Sequence, residues 1–289
     1  MGPAGGRGVR SGPLSQVDPA DRKQLDRLLR QARVRPKKSF GQNFLVDPGL
    51  RDQVVAAAGI QAGDEVLEVG AGAGTLTVRL AGLSRRLVAV ELDRGLARIL
   101  RQMVPGAEVV EQDILTVDLA GMFPAGGEVV VGNIPYYLTG ALMRKLLDEP
   151  PRPRRISLVV QREVADRWLG NGGWSLATVS VQAFTEPRIA LELPAEAFEP
   201  RPRVGSALVV MEVRDRPAVG VPDMNGFLRF AEAVFQFRRK QLQGSLARVA
   251  GVPGAEAATR LAAAGIDPKR RPETLNLEEW TSVYAAFAS

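Results

Sequence analysis

Three stretches of this chain hold residue types and spacings that could do chemistry. The first is Gly70-Ala71-Gly72-Ala73-Gly74, which follows the apolar run Glu65-Val66-Leu67-Glu68-Val69. Glycines at a strand end let the backbone turn tightly and approach a ligand with no Cβ in the way. A generic glycine-rich turn would look the same. The G-x-G-x-G spacing and the acid Glu68 just before it lean away from a dinucleotide fingerprint and towards a nucleoside without a pyrophosphate. The second is a pair of carboxylates. Glu91 closes the next apolar run, about 20 residues after the loop, where an acid can accept hydrogen bonds from both ribose hydroxyls. Asp113 closes the run after that and is either an ordinary turn residue or an acceptor for the exocyclic amine of an adenine. The third is Asn133-Ile134-Pro135-Tyr136, at the end of a fourth apolar run. Elsewhere it would be a plain turn; at the end of the fourth strand it is the most specific feature of the chain.

Composition narrows the chemistry further. The 289 residues include no Cys and no His, which excludes disulfides, Cys/His zinc sites, thiol nucleophiles and any Ser-His-Asp triad. Carboxylates, amides, hydroxyls, backbone groups or a cofactor must do the work, and no metal is expected. Lys and Arg number 38 against 32 Asp and Glu, a formal net charge of +6. A basic balance favours a polyanionic partner, nucleic acid first. No apolar run approaches the roughly 20 residues of a membrane helix, and Met1-Gly2-Pro3 opens no apolar leader. A cytoplasmic protein with no membrane partner is the expectation.

The elements that must position these residues alternate. Strands are expected at 65–69, 86–90, 107–111, 128–132 and 156–161, and helices at 75–83 and 95–103. Such alternation implies βαβ units and a mostly parallel sheet, with ligands at the carboxyl ends of its strands. Two further strand candidates, Gln182 to Glu192 and Gly205 to Val213, have no helix between them and suggest a closing hairpin at one edge. Pro217, Gly220 and Pro222 mark a boundary. Beyond it helices are expected at 225–237, 240–249, 255–265 and 277–288, the last capped by Asn276. The organisation expected is an extension over 1–34, partly disordered but with a helix candidate at 19–30, then an α/β domain over 35–216 and a helical domain over 217–289.

The order and spacing of several segments resemble the ribosomal RNA adenine N6,N6-dimethyltransferase family. They are Ser39-Phe40-Gly41-Gln42-Asn43-Phe44-Leu45, Glu68-Val69-Gly70-Ala71-Gly72, Glu91-Leu92-Asp93, Gln112-Asp113, Asn133-Ile134-Pro135-Tyr136 and Phe198-Glu199-Pro200-Arg201-Pro202-Arg203-Val204. The resemblance implies an α/β, Rossmann-like class I methyltransferase domain with a mostly parallel, seven-stranded sheet, plus a small all-α C-terminal domain. It implies that Asn43, Leu45, Gly70, Gly72, Glu91, Asp113 and Asn133 line a pocket for S-adenosylmethionine, which leaves as S-adenosylhomocysteine. In this reading the N6 amine of an everted adenine bonds to the Asn133 side-chain oxygen and the Ile134 carbonyl. Pro135 completes the turn, Tyr136 stacks on the base and Phe198 covers its other face. No strong base is required, which suits a chain without His.

Within the family, Phe235-Gln236-Phe237-Arg238-Arg239-Lys240-Gln241-Leu242 and Gly265-Ile266-Asp267-Pro268 resemble the bacterial small-subunit (KsgA) branch rather than the macrolide-resistance (Erm) branch. That branch dimethylates two adjacent adenosines in the 3′-terminal helix of 16S rRNA within a pre-30S particle. Arg238, Arg239 and Lys240, with Arg35, Lys37 and Lys38, would then meet RNA phosphates. A solvated charged face is the plainer reading of either run. The free protein is expected to be a monomer. Ile134 stands where the small-subunit branch usually carries Leu, Gly205 replaces a frequent acid, and Tyr137-Leu138-Thr139-Gly140 departs from the family pattern. The competing readings are an Erm-type enzyme acting on 23S rRNA, a non-catalytic assembly or transcription factor of the same fold, and a small-molecule methyltransferase.

Overall fold

A computed structural model describes residues 17–36, 41–148 and 150–287. Lys37 and Lys38, named above as RNA contacts, lie outside the described residues, as do Ser39 and Phe40. In chain order the elements are α1 (Arg22–Gln31), β1 (Phe44–Leu45), α2 (Pro48–Ala58), β2 (Glu65–Val69), α3 (Thr77–Leu80), β3 (Arg86–Glu91), α4 (Arg94–Met103), β4 (Glu108–Glu111), α5 (Leu119–Met122), β5 (Val129–Asn133), α6 (Thr139–Leu147) and β6 (Arg155–Gln161). There follow α7 (Arg162–Trp168), α8 (Leu176–Phe184), β7 (Thr185–Leu193), β8 (Phe198–Glu199), β9 (Ser206–Val213), α9 (Met224–Phe235), α10 (Leu242–Ala250), α11 (Gly254–Ala263) and α12 (Leu277–Phe287).

Seven strands form one sheet in the order β4-β3-β2-β5-β6-β9-β7. The first five run parallel, and β9 lies antiparallel between β6 and β7. The sheet is legible in the residues, because burial alternates with period two. Val66, Val129, Val131, Leu208 and Val210 face α2 and α3, while Leu67, Val130, Ile156, Leu158 and Val209 face α6 and α8. The order reverses direction between β2 and β5, so the carboxyl ends of β2, β3, β4 and β5 open on one crevice.

The expected closing pair at the edge is β7 and β9, but two elements differ from expectation. Residues 182–184 belong to α8, not to a strand. Their stretch, Leu176-Ala177-Thr178-Val179-Ser180-Val181, is rich in β-branched residues, yet Ser175 and Thr178 form a capping box that starts a helix, and its side chains are almost all buried. The helix expected at 75–83 shrinks to Thr77–Leu80, with turns on either side.

The described part of the 1–34 segment packs on the catalytic body. Asp21 caps α1, and Leu25, Leu28 and Leu29 bury against Phe44, Ala73, Leu96, Ile99 and Met103. Each such burial contributes about 1.5–3 kcal/mol. Polar clasps reinforce it. The guanidinium of Arg51, 2% exposed, bonds to Asp18 at 2.5 Å and to Asp52 at 2.8 Å, and Arg22 pairs with Glu199. At the other end of the chain α9 and α12 pack on α8, and Phe227 and Trp280 share one apolar core with Trp168 and Phe184. Asn276 and Glu279 exchange backbone-to-side-chain bonds of 2.9 Å, a capping box at the start of α12.

Candidate active site

The crevice holds a cleft of about 1020 Å³. Asn43, Leu45, Gly70, Gly72, Glu91, Asp113 and Asn133 all line it, together with Ile134, Pro135 and Tyr136. They arrive from five places in the chain, brought together by parallel pairing that puts successive strand ends side by side.

The glycine loop is stitched to the end of β3: the amides of Gly70 and Ala71 both donate to the Val90 carbonyl, at 2.9 and 3.3 Å. Gly72 holds φ +59°, and a Cβ there would stand 3.2 Å from the Phe44 ring. Both the left-handed backbone and the contact call for glycine. Gly132, just before Asn133, is required for a different reason. A Cβ would come within 2.6 Å of the Val69 carbonyl, so β2 and β5 could not pair as closely.

Glu91 is 6% exposed, and its two carboxylate oxygens accept from the amides of Gly72 at 2.8 Å and Asp93 at 2.7 Å. Burial pushes its pKa up, and these two amides offset part of the rise. The carboxylate is thereby fixed in place with lone pairs to spare for a diol. Asp113 starts a turn, as its sequence allowed, with one oxygen accepting from the Leu115 amide at 2.9 Å, and it also lies on the cleft wall. Leu92 and Leu115, 43% and 38% exposed, stand one and two residues beyond these acids and give the cleft an apolar flank suited to a planar base.

Asn133 ends β5. Its Nδ2 donates to the Asn43 backbone carbonyl at 2.7 Å, a contact across 90 residues of sequence. With the amide nitrogen committed there, Oδ1 is left as an acceptor at the cleft. Ile134 is buried, and Tyr136 turns inward, its hydroxyl 3.3 Å from that of Ser206. Burial holds the phenol above its ordinary pKa, so it stays neutral.

Phe198 requires a correction. It does not line the cleft: β8 pairs with β1, Phe198 opposite Leu45, and the ring is 1% exposed in the core beneath α2. In this arrangement it packs the floor under Leu45 and covers no base. Glu68, Gln112 and Tyr137 are among the cleft residues that the sequence reading did not assign as site groups. Glu68, 1% exposed, has an unpartnered Oε2. Burial pushes its pKa to about 8, Thr77 draws it partly back and the charge of Glu91 adds to the rise. Gln112 lines the wall beside Asp113, and Tyr137 stands at the mouth. Glu68 and Gln112 stood within the motifs quoted above without a role, and Tyr137 directly follows one.

Arg238, Arg239 and Lys240 are exposed in the turn after α9 and line a separate groove of about 1460 Å³ with Arg144, Trp174 and Phe237. Arg35 is exposed and lines neither depression. Among the described residues no group of three acidic side chains is placed to hold a metal, and no helix is long and apolar enough to cross a membrane.

Comparison with known proteins agrees with this geometry. Residues 33–289 match the family model described as ribosomal RNA adenine dimethylase. The chain is 40% identical over 277 residues to the ribosomal RNA small subunit methyltransferase A of Pelotomaculum thermopropionicum, covering 90% of this chain and 94% of that one. It is 39% identical over 283 residues to the enzyme of that name from Anaeromyxobacter dehalogenans, covering 93% and 98%. Among solved structures, the 23S rRNA methyltransferase ErmE superposes with a TM-score of 0.65 at 28% identity, over 85% of this chain and 100% of that one.

Proposed function

The chain belongs to the ribosomal RNA adenine dimethylase family, and from that premise we propose that it dimethylates N6 of two adjacent adenosines in the 3′-terminal helix of small-subunit rRNA, within a pre-30S particle. The observation that carries the reading is the Asn133 amide, held by Asn43 with its oxygen at a cleft already furnished for a nucleoside. The identity to small-subunit enzymes over nearly the whole chain favours that target over a large-subunit one.

The residues present fit S-adenosylmethionine. Glu91 would hold the ribose, Asp113 and the flank of Leu92 and Leu115 the adenine, and Gly70 and Gly72 the close backbone approach, with Asn43 and Leu45 on the facing wall. Bound there, the cofactor supplies a methyl group already activated as a sulfonium. The chain's own task is positioning. The Asn133 oxygen and the Ile134 carbonyl accept from the target amine and draw it towards a pyramidal geometry that localises its lone pair. Pro135 fixes the turn that presents them, and Tyr136 offers a neutral ring for the everted base. The helical unit over 217–289 recognises RNA, with Arg238, Arg239 and Lys240 on phosphates and Arg35 as a further contact. The enzyme works in the cytoplasm as a monomer without a metal.

Purified protein should transfer labelled methyl to small subunits from cells lacking this modification, and mapping should find N6,N6-dimethyladenosine in the 3′-terminal helix. Label on large subunits alone would instead indicate the Erm-type reaction. Glu91→Gln should raise the cofactor Kd by about 10- to 100-fold in calorimetry, because a charged acceptor is lost and the new NH2 faces a backbone donor. An unchanged Kd would remove Glu91 from the ribose site.

A further inference from the structure

Among the described residues Tyr137 is the only exposed aromatic side chain, at 62% exposure. It stands at the mouth of the cleft, directly after the Asn-Ile-Pro-Tyr turn. Its backbone is held firmly: the Leu138 amide donates to the Pro135 carbonyl at 3.0 Å, and the Thr139 hydroxyl donates to the Tyr136 carbonyl at 3.1 Å. The two neighbouring side chains point inward, Tyr136 towards Ser206 and Leu138 into the core, which leaves the ring of Tyr137 directed outward. The Tyr137 hydroxyl makes no hydrogen bond among the described residues. One edge of the ring lies against Gly41, where a Cβ would be 3.6 Å from Cδ1. The ring therefore lies beside Gly41 and is otherwise open to solvent.

A rigid, outward-facing ring gains nothing from the fold it stands on. It gains a partner when RNA arrives. An adenine everted into the cleft leaves the next base on its strand without a stacking neighbour on one side, and an aromatic ring at the cleft mouth can replace that neighbour. Phe198, which the family resemblance placed on the base, is in the core, so Tyr137 is the aromatic available at this entrance. We propose that Tyr137 is a specificity-determining residue that stacks on the base next to the target adenosine. This rests on the adenosine-methylation reading above.

The test is single-turnover methyl transfer to a short RNA carrying the target helix, compared with the same RNA made abasic at the neighbouring nucleotide. Y137A should lower kcat/KM on the intact RNA by about 5- to 150-fold, the range of one base–aromatic stack. Y137F should stay within about twofold, since the ring is retained. Cofactor Kd should be the same in all three proteins. The abasic RNA should be a poorer substrate for wild type yet cost Y137A little further, because the lost contact is shared. Wild-type activity in Y137A, a parallel fall in cofactor affinity, or full multiplication of the two defects would each overturn the assignment. Failure of the underlying reading looks different: wild type would then form no N6,N6-dimethyladenosine on undermodified small subunits either.

Discussion

Asn133→Ala is expected to lower the methyl-transfer rate by about 10²–10³-fold, the usual cost of removing one preorganised hydrogen-bonding group from a reacting centre, while cofactor Kd moves by less than about threefold. The separation follows from the site's layout. In the proposed site Glu91, Asp113 and the glycine loop make most of the contacts to the cofactor, whereas no other side chain at the end of β5 offers an amide oxygen. Asn133→Asp discriminates further. It places a carboxylate oxygen where Nδ2 now donates to the Asn43 carbonyl at 2.7 Å, so two acceptors oppose each other. The aspartate must turn away or take up a proton, and its activity should be no better than that of the alanine variant despite the closer shape. Stopped-flow or quench-flow turnover beside calorimetric cofactor binding measures both quantities. An alanine variant with normal turnover would show that the amide does not handle the substrate amine.

Glu68→Gln should change how stability depends on pH. In the folded protein burial holds the Glu68 carboxyl at a pKa of about 8, against 4.5 when exposed. Between these values the unfolded chain has lost the proton and the native one keeps it, so stability falls as pH rises. The contribution is intact below about pH 4.5 and fully lost above about pH 8, an effect on the order of 4 kcal/mol. Glutamine keeps the neutral shape and removes the titration. In urea melts the variant should match wild type near pH 5 and exceed it near pH 9, with the difference growing across that interval. Parallel curves would show that Glu68 is ionised in the native state throughout.

Much of this site was legible because a parallel sheet converts sequence order into spatial order. Once 65–69, 86–90, 107–111 and 128–132 read as consecutive strands, Gly70, Glu91, Asp113 and Asn133 had to meet at one edge. What could not be read depended on non-local packing. Nothing at Asn43 announces that its carbonyl will hold an amide 90 positions later. The Phe198 motif gave the residue but not its direction, which is set by the two-residue pairing of β8 with β1. The strand expected from Gln182 begins only at Thr185, because 182–184 complete α8, a helix started by the cap at Ser175 and buried on nearly all sides. The burial that raises the Glu68 pKa comes from neighbours its sequence context does not identify.

One peptide carries the last consequence. Asn43 belongs to the wall of the nucleoside cleft and, through its carbonyl, sets the amide of Asn133. On the binding mode proposed above, cofactor and RNA both lean on this short span, which packs on α1 through Phe44 and pairs with β8 through β1. A ligand that steadies this span for itself steadies it for the other. Thermodynamic reciprocity would make the gain mutual and equal, so that binding mode predicts cooperative loading of cofactor and RNA.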